Sequence, residues 1–289
     1  MKPTNGMPQV TLFNKLDKIV FMILGLVVLI AVSWKIMGNR SATTPSSDVT
    51  IVQKWDMPAE LKEISALCNI GENQFACVQD EVGIIYVYNT ADKKIENKIK
   101  FAETGDFEGV AFTGDHYYVV RADGLLFETP LDENPDNTKE YKTSLTVKHN
   151  VEGLCYDREN NRLLLAIKDE EPNNPGYKGI YAFDLRKKVF IEEPVFKIDL
   201  RHSLFDQSKK KKVMPSAITI HPKTKEIFIT DGPQSRLLIM DEAGKPKHFI
   251  ELGKKFAQPE GITFDHDGNL FISNEGTKQP GNILQVKLQ

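Results

Sequence analysis

The chain has 289 residues, of which 40% are hydrophobic and 27% are charged, and its formal net charge is −3. With 37 basic against 40 acidic residues it lacks the positive excess of a nucleic-acid-binding protein, and its apolar content is too high for a disordered polymer. Three cysteines are too few for a disulfide-rich scaffold. The apolar residues are spread unevenly, and on this basis the chain divides into four segments.

An apolar run near the start predicts a transmembrane helix over residues 19–37. Ile19 to Trp34 carry no charge, and the run continues to Met37 because Lys35 can direct its ammonium group to the lipid headgroups. At 1.5 Å per residue this helix would span about 28 Å, close to the thickness of the hydrocarbon core. Residues 1–18 form a short N-terminal tail, and residues 38–48 form a flexible polar tether.

A cleaved signal peptide is the alternative interpretation of this segment. The tail before the apolar run is long, and no small-x-small cleavage site follows it, which favours an uncleaved anchor. Lys2, Lys15 and Lys18 precede the span, and Lys35 and Arg40 follow it. This bias predicts an N-terminus inside the cell and the remainder outside. We therefore expect a single-pass inner-membrane protein with a monomeric extracytoplasmic domain, periplasmic in a Gram-negative cell.

Residues 49–289 contain five copies of one pattern. Each copy has an apolar residue or proline, then Glu or Ser, then Gly or Ala, followed by a strand, a turn and a second strand. The Glu or Ser positions are Ser65, Glu108, Glu152, Ser216 and Glu260, with spacings of 43, 44, 64 and 44 residues. A period near 44 that consists of strands and turns is typical of β-propeller blades. The 64-residue interval is too short to hold an additional blade.

Each copy also predicts a third strand, and four copies predict a fourth. The Asp267-Gly268 pair of the fifth copy is a strong signal for a hairpin turn. The fourth strand of this last blade can come from residues 49–55, VTIVQKW, which would remove the open edge of the ring. The sequence therefore predicts an all-β fold, a five-bladed β-propeller over residues 49–289, preceded by one N-terminal transmembrane helix.

The repeats contain the segments KEISALC, ACVQDEVGIIYVYN, GDFEGVAF, NVEGLCYDRENNRLLLAIKDE, GIYAFDL and QPEGITFDHDGNLFISNEG. Together these resemble the SdiA-regulated family of bacterial envelope proteins, which are distant relatives of the NHL-repeat propellers. The resemblance extends over nearly the whole chain after the tether. It implies a five-bladed propeller behind an N-terminal membrane segment, with bound calcium. It implies no settled biochemical activity.

Three glutamates occupy the same position in blades two, three and five: Glu108, Glu152 and Glu260. Because equivalent residues of successive blades surround one channel, we expect these carboxylates to converge at one end of its axis. They would repel one another unless they are protonated or bound to a cation, and oxygen ligands favour Ca²⁺ over zinc. The alternative is that each glutamate binds backbone N–H groups or a basic neighbour. Together with the resemblance, this position predicts a Ca²⁺ site.

A second set of polar residues comes from the ends of the second strands of the blades. Its candidate members are Asp80, Arg121, Lys168, Asp231, Asn274 and Glu275. They are expected to complete the shell of the cation or to form a pocket for a polar ligand. The alternative is that they are solvated or form Asx-turns, as acids in propeller loops often do.

The chain contains no GxSxG, HExxH, P-loop or GxGxxG motif, and its six histidines lack the spacing of metal ligands. The leading hypothesis is a membrane-anchored, calcium-binding propeller that serves as a binding module of the cell envelope. Its partner would be an envelope protein or a small polar ligand. The alternative is a calcium-dependent hydrolase of the lactonase or phosphoesterase type that uses the channel acids.

Two further features have two interpretations each. An alignment of the inner hairpins places Cys68 opposite Cys77, which allows a cross-strand disulfide or two free core thiols. The run Lys209–Lys212, in the insertion between blades three and four, is either a contact for anionic lipid or a partner, or a solvated loop.

Overall fold

The computed structural model describes residues 49–131, 134–169, 171, 174–205 and 213–289. These residues form five antiparallel four-stranded sheets, and the prediction of a five-bladed β-propeller is confirmed. The predicted transmembrane helix over residues 19–37 and the run 209–212 lie outside the described residues. Within the described ranges there is no helix of the length and hydropathy that a membrane span requires.

The strands of each blade pair in a simple order. Blade one contains β2 (Ile64–Gly71), β3 (Gln74–Gln79), β4 (Val82–Asn89) and β5 (Lys94–Thr104). Blade two contains β6 (Phe107–Phe112), β7 (His116–Arg121), β8 (Leu126–Pro130) and β9 (Lys139–Tyr141). Blade three contains β10 (Val151–Asp157), β11 (Arg162–Ile167), β12 (Tyr177–Asp184) and β13 (Val189–Asp199). Blade four contains β14 (Pro215–Ile220), β15 (Ile227–Asp231), β16 (Arg236–Met240) and β17 (Pro246–Glu251). Blade five contains β18 (Pro259–Phe264), β19 (Leu270–Asn274), β20 (Asn282–Leu288) and β1 (Val49–Asp56).

Short 3₁₀-helices stand in the connections, at Ala59–Leu61, Pro135–Asn137, Ser203–Phe205 and Gly232–Gln234. The first strands of neighbouring blades contact one another around the ring, β2 with β6, β6 with β10, β10 with β14, β14 with β18 and β18 with β2. These five strands therefore surround the channel.

The ring is closed by β1, which pairs antiparallel with β20 from Val49 opposite Leu288 to Asp56 opposite Asn282. The indole N–H of Trp55 donates to the carbonyl of Thr90 at 2.9 Å, which ties blade five to blade one. Residues 47–289 form one compact unit, and all five sheets and their hydrophobic clusters lie within it. A fragment of these residues contains every interaction of the described fold and is suited to measurements in solution.

The glycines that follow the glutamates allow the first strands to approach closely. A Cβ atom at Gly109 would lie 2.6 Å from the Cβ of Leu154 in the next blade. At Gly261 it would lie 2.4 Å from a methyl group of Leu67 and equally close to the Ser273 hydroxyl. Side chains at these positions would therefore force neighbouring blades apart. In the Glu-Gly pattern, the glycine therefore meets a packing requirement, and the glutamate before it is a candidate functional residue.

The predicted pairing of Cys68 with Cys77 is wrong. The register places Leu67 opposite Cys77 and Cys68 opposite Ala76. The cause is a β-bulge at Ile70, since one extra residue near the turn shifts every following pair by one position. Cys68 and Cys77 consequently point to opposite faces of blade one, and all three cysteines are free thiols.

Candidate functional site

The three predicted glutamates lie near the beginning of the first strands of their blades, in β6, β10 and β18. Each is the unpaired residue of a β-bulge; for example, Phe107 pairs with Arg121 and Gly109 with Val120, which leaves Glu108 without a partner in the ladder. The same shift in register occurs at Ser65 and Ser216. A bulge changes the direction of one side chain, and here it does so in all five blades.

The electrostatics show that these glutamates lie close enough to interact. Burial is the largest cause that raises the pKa of Glu108, to about 9, and the charge of Glu152 is the next. The same two causes raise the pKa of Glu260 to about 7. Only 3% of Glu152 and 8% of Glu260 are exposed. Burial and the charges of neighbouring carboxylates therefore both disfavour the ionised forms of Glu108 and Glu260.

Lys168 provides a counter-charge for one of the three. Its Nζ lies 2.9 Å from Oε1 of Glu152, and the side-chain amide of Asn150 donates to the same oxygen at 2.9 Å. Burial nevertheless keeps the pKa of Glu152 above its ordinary value. Burial by itself would lower the pKa of Lys168, but Glu152, Glu260 and Glu108 together raise it. The predicted alternative of a basic neighbour thus applies at Glu152.

A further ring of residues was missed by the sequence analysis. It lies two positions before the Glu or Ser of each blade and consists of Glu63, Asp106, Asn150, Met214 and Gln258. Asp106 is hydrogen-bonded to Glu108, which adds to the rise in the pKa of that carboxyl. The Gln258 amide donates to Oε2 of Glu275. The signal was present, because this ring has the same spacing as the glutamates.

Asp80 and Glu275 extend the acidic group between blades one and five. Burial raises the pKa of Asp80 most, and the charges of Glu63, Glu81 and Asp106 raise it further. Burial is also the main cause of the raised pKa of Glu275, followed by the charges of Asp80 and Glu63. Oδ1 of Asp80 is buried and has no hydrogen-bond partner among the described residues. Two of the predicted second-strand residues therefore belong to the acidic group.

Asn274 also presents an unused acceptor. Its side chain is 1% exposed, and its amide nitrogen donates to the side-chain oxygen of Asn282 at 3.0 Å. Its Oδ1 makes no hydrogen bond within the part of the chain that the structure describes. An unpartnered buried amide oxygen carries a free-energy cost, and a bound cation or hydrogen-bond donor would remove it.

Two other predicted residues are held by partners within their own blades. Asp231 is fully buried and forms a 2.5 Å ion pair with Arg236 in blade four, where Arg236 also covers the ring of Phe249. Arg121 makes two hydrogen bonds to Asp123, at 3.0 and 2.7 Å, in the loop after β7. These contacts indicate structural roles, so the second predicted ring is divided between the acidic group and local ion pairs.

The acidic group, Glu108, Glu152 and Glu260 with Asp80 and Glu275, offers only oxygen donors, which suit a hard cation such as Ca²⁺. Across the described ranges, however, no three or more His, Cys, Asp or Glu side chains are arranged as a metal site. The chemistry of the donors fits Ca²⁺, while Lys168 occupies the surroundings of Glu152. Calcium binding stays a prediction.

Comparison with known proteins gives a family and a fold. The SdiA-regulated family model matches residues 39–278. No curated protein matches the chain. Among solved structures, Myxococcus xanthus glutaminyl cyclase is 16% identical, with 83% of this chain and 96% of that chain covered and a TM-score of 0.54. Virginiamycin B lyase from Staphylococcus aureus is 12% identical, with 82% and 74% covered and a TM-score of 0.45.

At 16% identity the similarity to glutaminyl cyclase shows the propeller fold alone. The sequence-based alternative of a calcium-dependent hydrolase stays a prediction.

Proposed function

Because this chain belongs to the SdiA-regulated family, we propose that it is a membrane-anchored binding module of the cell envelope that holds Ca²⁺ at the acidic end of its channel. The ion and the surrounding polar side chains would together recognise a polar ligand or an envelope protein. Glu108, Glu152 and Glu260 are the candidate ligands, with Asp80 and Asn274 as further oxygen donors. The positive charge of the ion would attract anionic or strongly polar groups of the partner.

One observation carries this proposal: the acidic group has more carboxylates than Lys168 neutralises. Glu108 and Glu260 lie in the same buried site and have pKa values raised to about 9 and about 7. A protein that used these carboxylates only for packing would be more stable with apolar side chains, because a buried unpaired carboxylate is costly. A divalent cation would remove this cost and allow all three groups to ionise.

We expect Ca²⁺ to bind the 47–289 fragment and to release protons at pH 7, because the pKa of Glu108, about 9, keeps that group protonated in the absence of the ion. Calorimetric titration in two buffers of different ionisation enthalpy measures both the affinity and the protons released. Ca²⁺ at 100 times its Kd should stabilise the fragment by about 2.7 kcal/mol.

The matched pair for this titration is Glu152→Gln and Glu251→Gln, since Glu251 is exposed on β17. Removing the Glu152 carboxylate should weaken Ca²⁺ binding about tenfold, and removing that of Glu251 should leave it unchanged. The absence of binding heat together with an unchanged Tm in the presence of a chelator would refute the calcium proposal.

The membrane part of the proposal is supported by the uncharged run from Ile19 to Trp34. The full chain should remain in the membrane pellet after carbonate extraction. Protease added to spheroplasts should release the propeller from it, since the basic residues favour an outside location for the C-terminal domain. A chain found in the soluble fraction would contradict the anchor, and a chain protected from external protease would contradict the orientation.

A further inference from the structure

A cavity of about 560 Å³ lies at the opposite end of the channel from the glutamates. In β10, for example, Glu152 stands near the beginning of the strand, while the residues of this strand that line the cavity run from Leu154 to Asp157. The lining therefore begins about 7 Å along the strand from Glu152 and ends about 17 Å from it. This volume is in the range of small-molecule pockets, and the cavity is separate from the acidic group.

The repeat itself builds this cavity. Three residues after the Glu or Ser of each blade stand the small side chains Cys68, Ala111, Cys155, Thr219 and Thr263, and all five line the cavity. The next residue of each blade gives a second ring, Asn69, Phe112, Tyr156, Ile220 and Phe264, which lines it as well. A small residue in every blade leaves space near the axis, and mostly large apolar and aromatic side chains surround the opening. Because the same position is small in all five blades, the cavity follows from the repeat. A packing defect would instead occur at the interface between one pair of blades.

The charged residues around this opening are mostly paired with each other. Arg162 Nε binds Oδ2 of Asp157 at 2.8 Å, and Lys225 binds Glu159 at 2.7 Å. Arg158 is different, because its guanidinium makes no hydrogen bond or ion pair with any described residue. It stands in the turn between β10 and β11, the two inner strands of blade three. Its charge is therefore available near the axis.

His221 contributes a second hydrogen-bond donor to the lining. Its Nδ1 accepts the backbone N–H groups of Lys223 and Thr224, both at 3.1 Å, so the neutral ring carries its proton on Nε2. Burial lowers the pKa of His221, which favours this neutral form. Two further acids line the cavity. Glu242 stands in the turn between the two outer strands of blade four, and Asp265 is held in the inner turn of blade five, where both of its carboxylate oxygens accept hydrogen bonds from Asn269.

From these features we infer that the cavity is a second binding site, for a small amphipathic anion. An aromatic or aliphatic body fills the space between the two rings, and a carboxylate, sulfonate or phosphate head contacts Arg158. The large side chains of the second ring, such as Phe112, Tyr156 and Phe264, contact the body of the ligand, and the unpaired guanidinium fixes its orientation. The site is expected to be independent of calcium, because no residue of the acidic group lines the cavity.

The probe for this site is 8-anilinonaphthalene-1-sulfonate, an aromatic anion whose fluorescence rises in apolar surroundings. It should bind the 47–289 fragment saturably with a stoichiometry of one. Arg158→Gln should weaken binding about fivefold, and Ala111→Trp, which fills the cavity, should abolish it. The exposed Arg186→Gln and the distant Glu152→Gln should bind the probe as the parent does, with or without a chelator.

Circular dichroism and Tm establish that each variant is folded before the titration. If the buried Ala111 does not tolerate tryptophan, Arg158→Gln decides by itself, since its side chain is exposed and without partners. Non-saturable binding, or equal affinity in Arg158→Gln and the parent, would overturn the inference. Loss of binding in Glu152→Gln alone would place the probe at the acidic end and would also overturn it. A failure of calcium binding would leave this result unaffected.

Discussion

Replacing Lys168 with methionine is expected to lower the free energy of unfolding by about 3 kcal/mol at pH 7. Lys168 Nζ lies 2.9 Å from Oε1 of Glu152, and their side chains are only 20% and 4% exposed. The substitution leaves the carboxyl of Glu152 buried near Glu108 and Glu260 without its cation. The loss stays at the lower end of the range for a broken buried pair, because Glu152 can take up a proton instead.

The dependence of this loss on pH identifies its cause. The pKa of Glu152 is already above 4.5 in the folded chain, and removal of Lys168 raises it further. Below pH 4.5 this carboxyl is protonated in both the folded and the unfolded chain, so the cost of the substitution becomes small there. As the pH rises through the pKa of Glu152 in the folded parent, that carboxyl ionises beside Lys168 while the variant still holds its proton, so the cost of the substitution grows with pH.

Denaturant unfolding of the 47–289 fragment at pH 4.5 and pH 7 measures both values. The double variant Lys168→Met with Glu152→Gln should recover most of the loss, because no charge is then left without a partner. Lys187→Met, at an exposed turn, is the matched control and should change stability by less than about 0.5 kcal/mol. An equal effect of Lys168→Met and Lys187→Met at pH 7 would show that the ion pair contributes nothing.

This experiment also connects stability with the proposed function. Ca²⁺ and the Lys168 ammonium compete for the same carboxylate, so the Lys168→Met variant should bind Ca²⁺ more tightly than the parent and regain stability from it. Stabilisation by Mg²⁺ to the same extent would indicate a general effect of divalent charge rather than a site selective for calcium.

The blades were predictable from the sequence because the first strand of every blade packs against its neighbours in the same way. Positions 109 and 261 require glycine because a Cβ atom there would clash with the first strand of the neighbouring blade. The glutamates directly before these glycines therefore recur with the same spacing. The spacing therefore located Glu108, Glu152 and Glu260 at one end of the channel without knowledge of their contacts. The same spacing could also have located Asp106 and Asn150, two residues before Glu108 and Glu152. The bulge at each glutamate is not visible in the sequence, so the pattern alone does not indicate that both positions belong to one candidate site.

What the repeat cannot specify is the partner of each side chain. Asp231 is the last residue of β15 and meets Arg236 directly across the strand pair, whereas Asp80 comes directly after β3 and meets other acids. The register makes Gln79 rather than Asp80 the equivalent of Asp231, and the shared sequence pattern does not reveal this shift of one residue. The predicted placement of Cys68 opposite Cys77 is wrong for a related reason. A single bulged residue changes the face of the sheet to which the following side chains point.

Replacing Glu260 with glutamine is expected to stabilise the propeller by about 3 kcal/mol at pH 8 in the presence of a chelator. Burial, and then the charge of Glu152, raises the pKa of Glu260 from 4.5 to about 7. Between these values the unfolded chain has released a proton that the folded chain retains, so the stability of the parent falls as pH rises. The difference between the two pKa values corresponds to about 3 kcal/mol.

The glutamine variant does not titrate at this position and is nearly isosteric with the protonated carboxyl. Its advantage over the parent should therefore be close to zero at pH 4.5, grow up to pH 7 and stay constant above it. At pH 8 this corresponds to a rise in Tm of about 6–12 °C for a domain of this size. Calorimetric scans at several pH values measure the profile, and the exposed Glu251→Gln provides the matched control.

Lys168→Met is expected to destabilise the propeller, and Glu260→Gln is expected to stabilise it. Ca²⁺ should reverse the effect of Glu260→Gln. With saturating Ca²⁺ the parent gains the stability of the bound ion, while Glu260→Gln has lost one carboxylate and gains less. The order of the two Tm values should then be inverted or their gap should close. If Glu260→Gln shows the same pH profile as the parent, the carboxyl is not crowded as the structure indicates. If its advantage persists unchanged with Ca²⁺, Glu260 is crowded but takes no part in holding the ion.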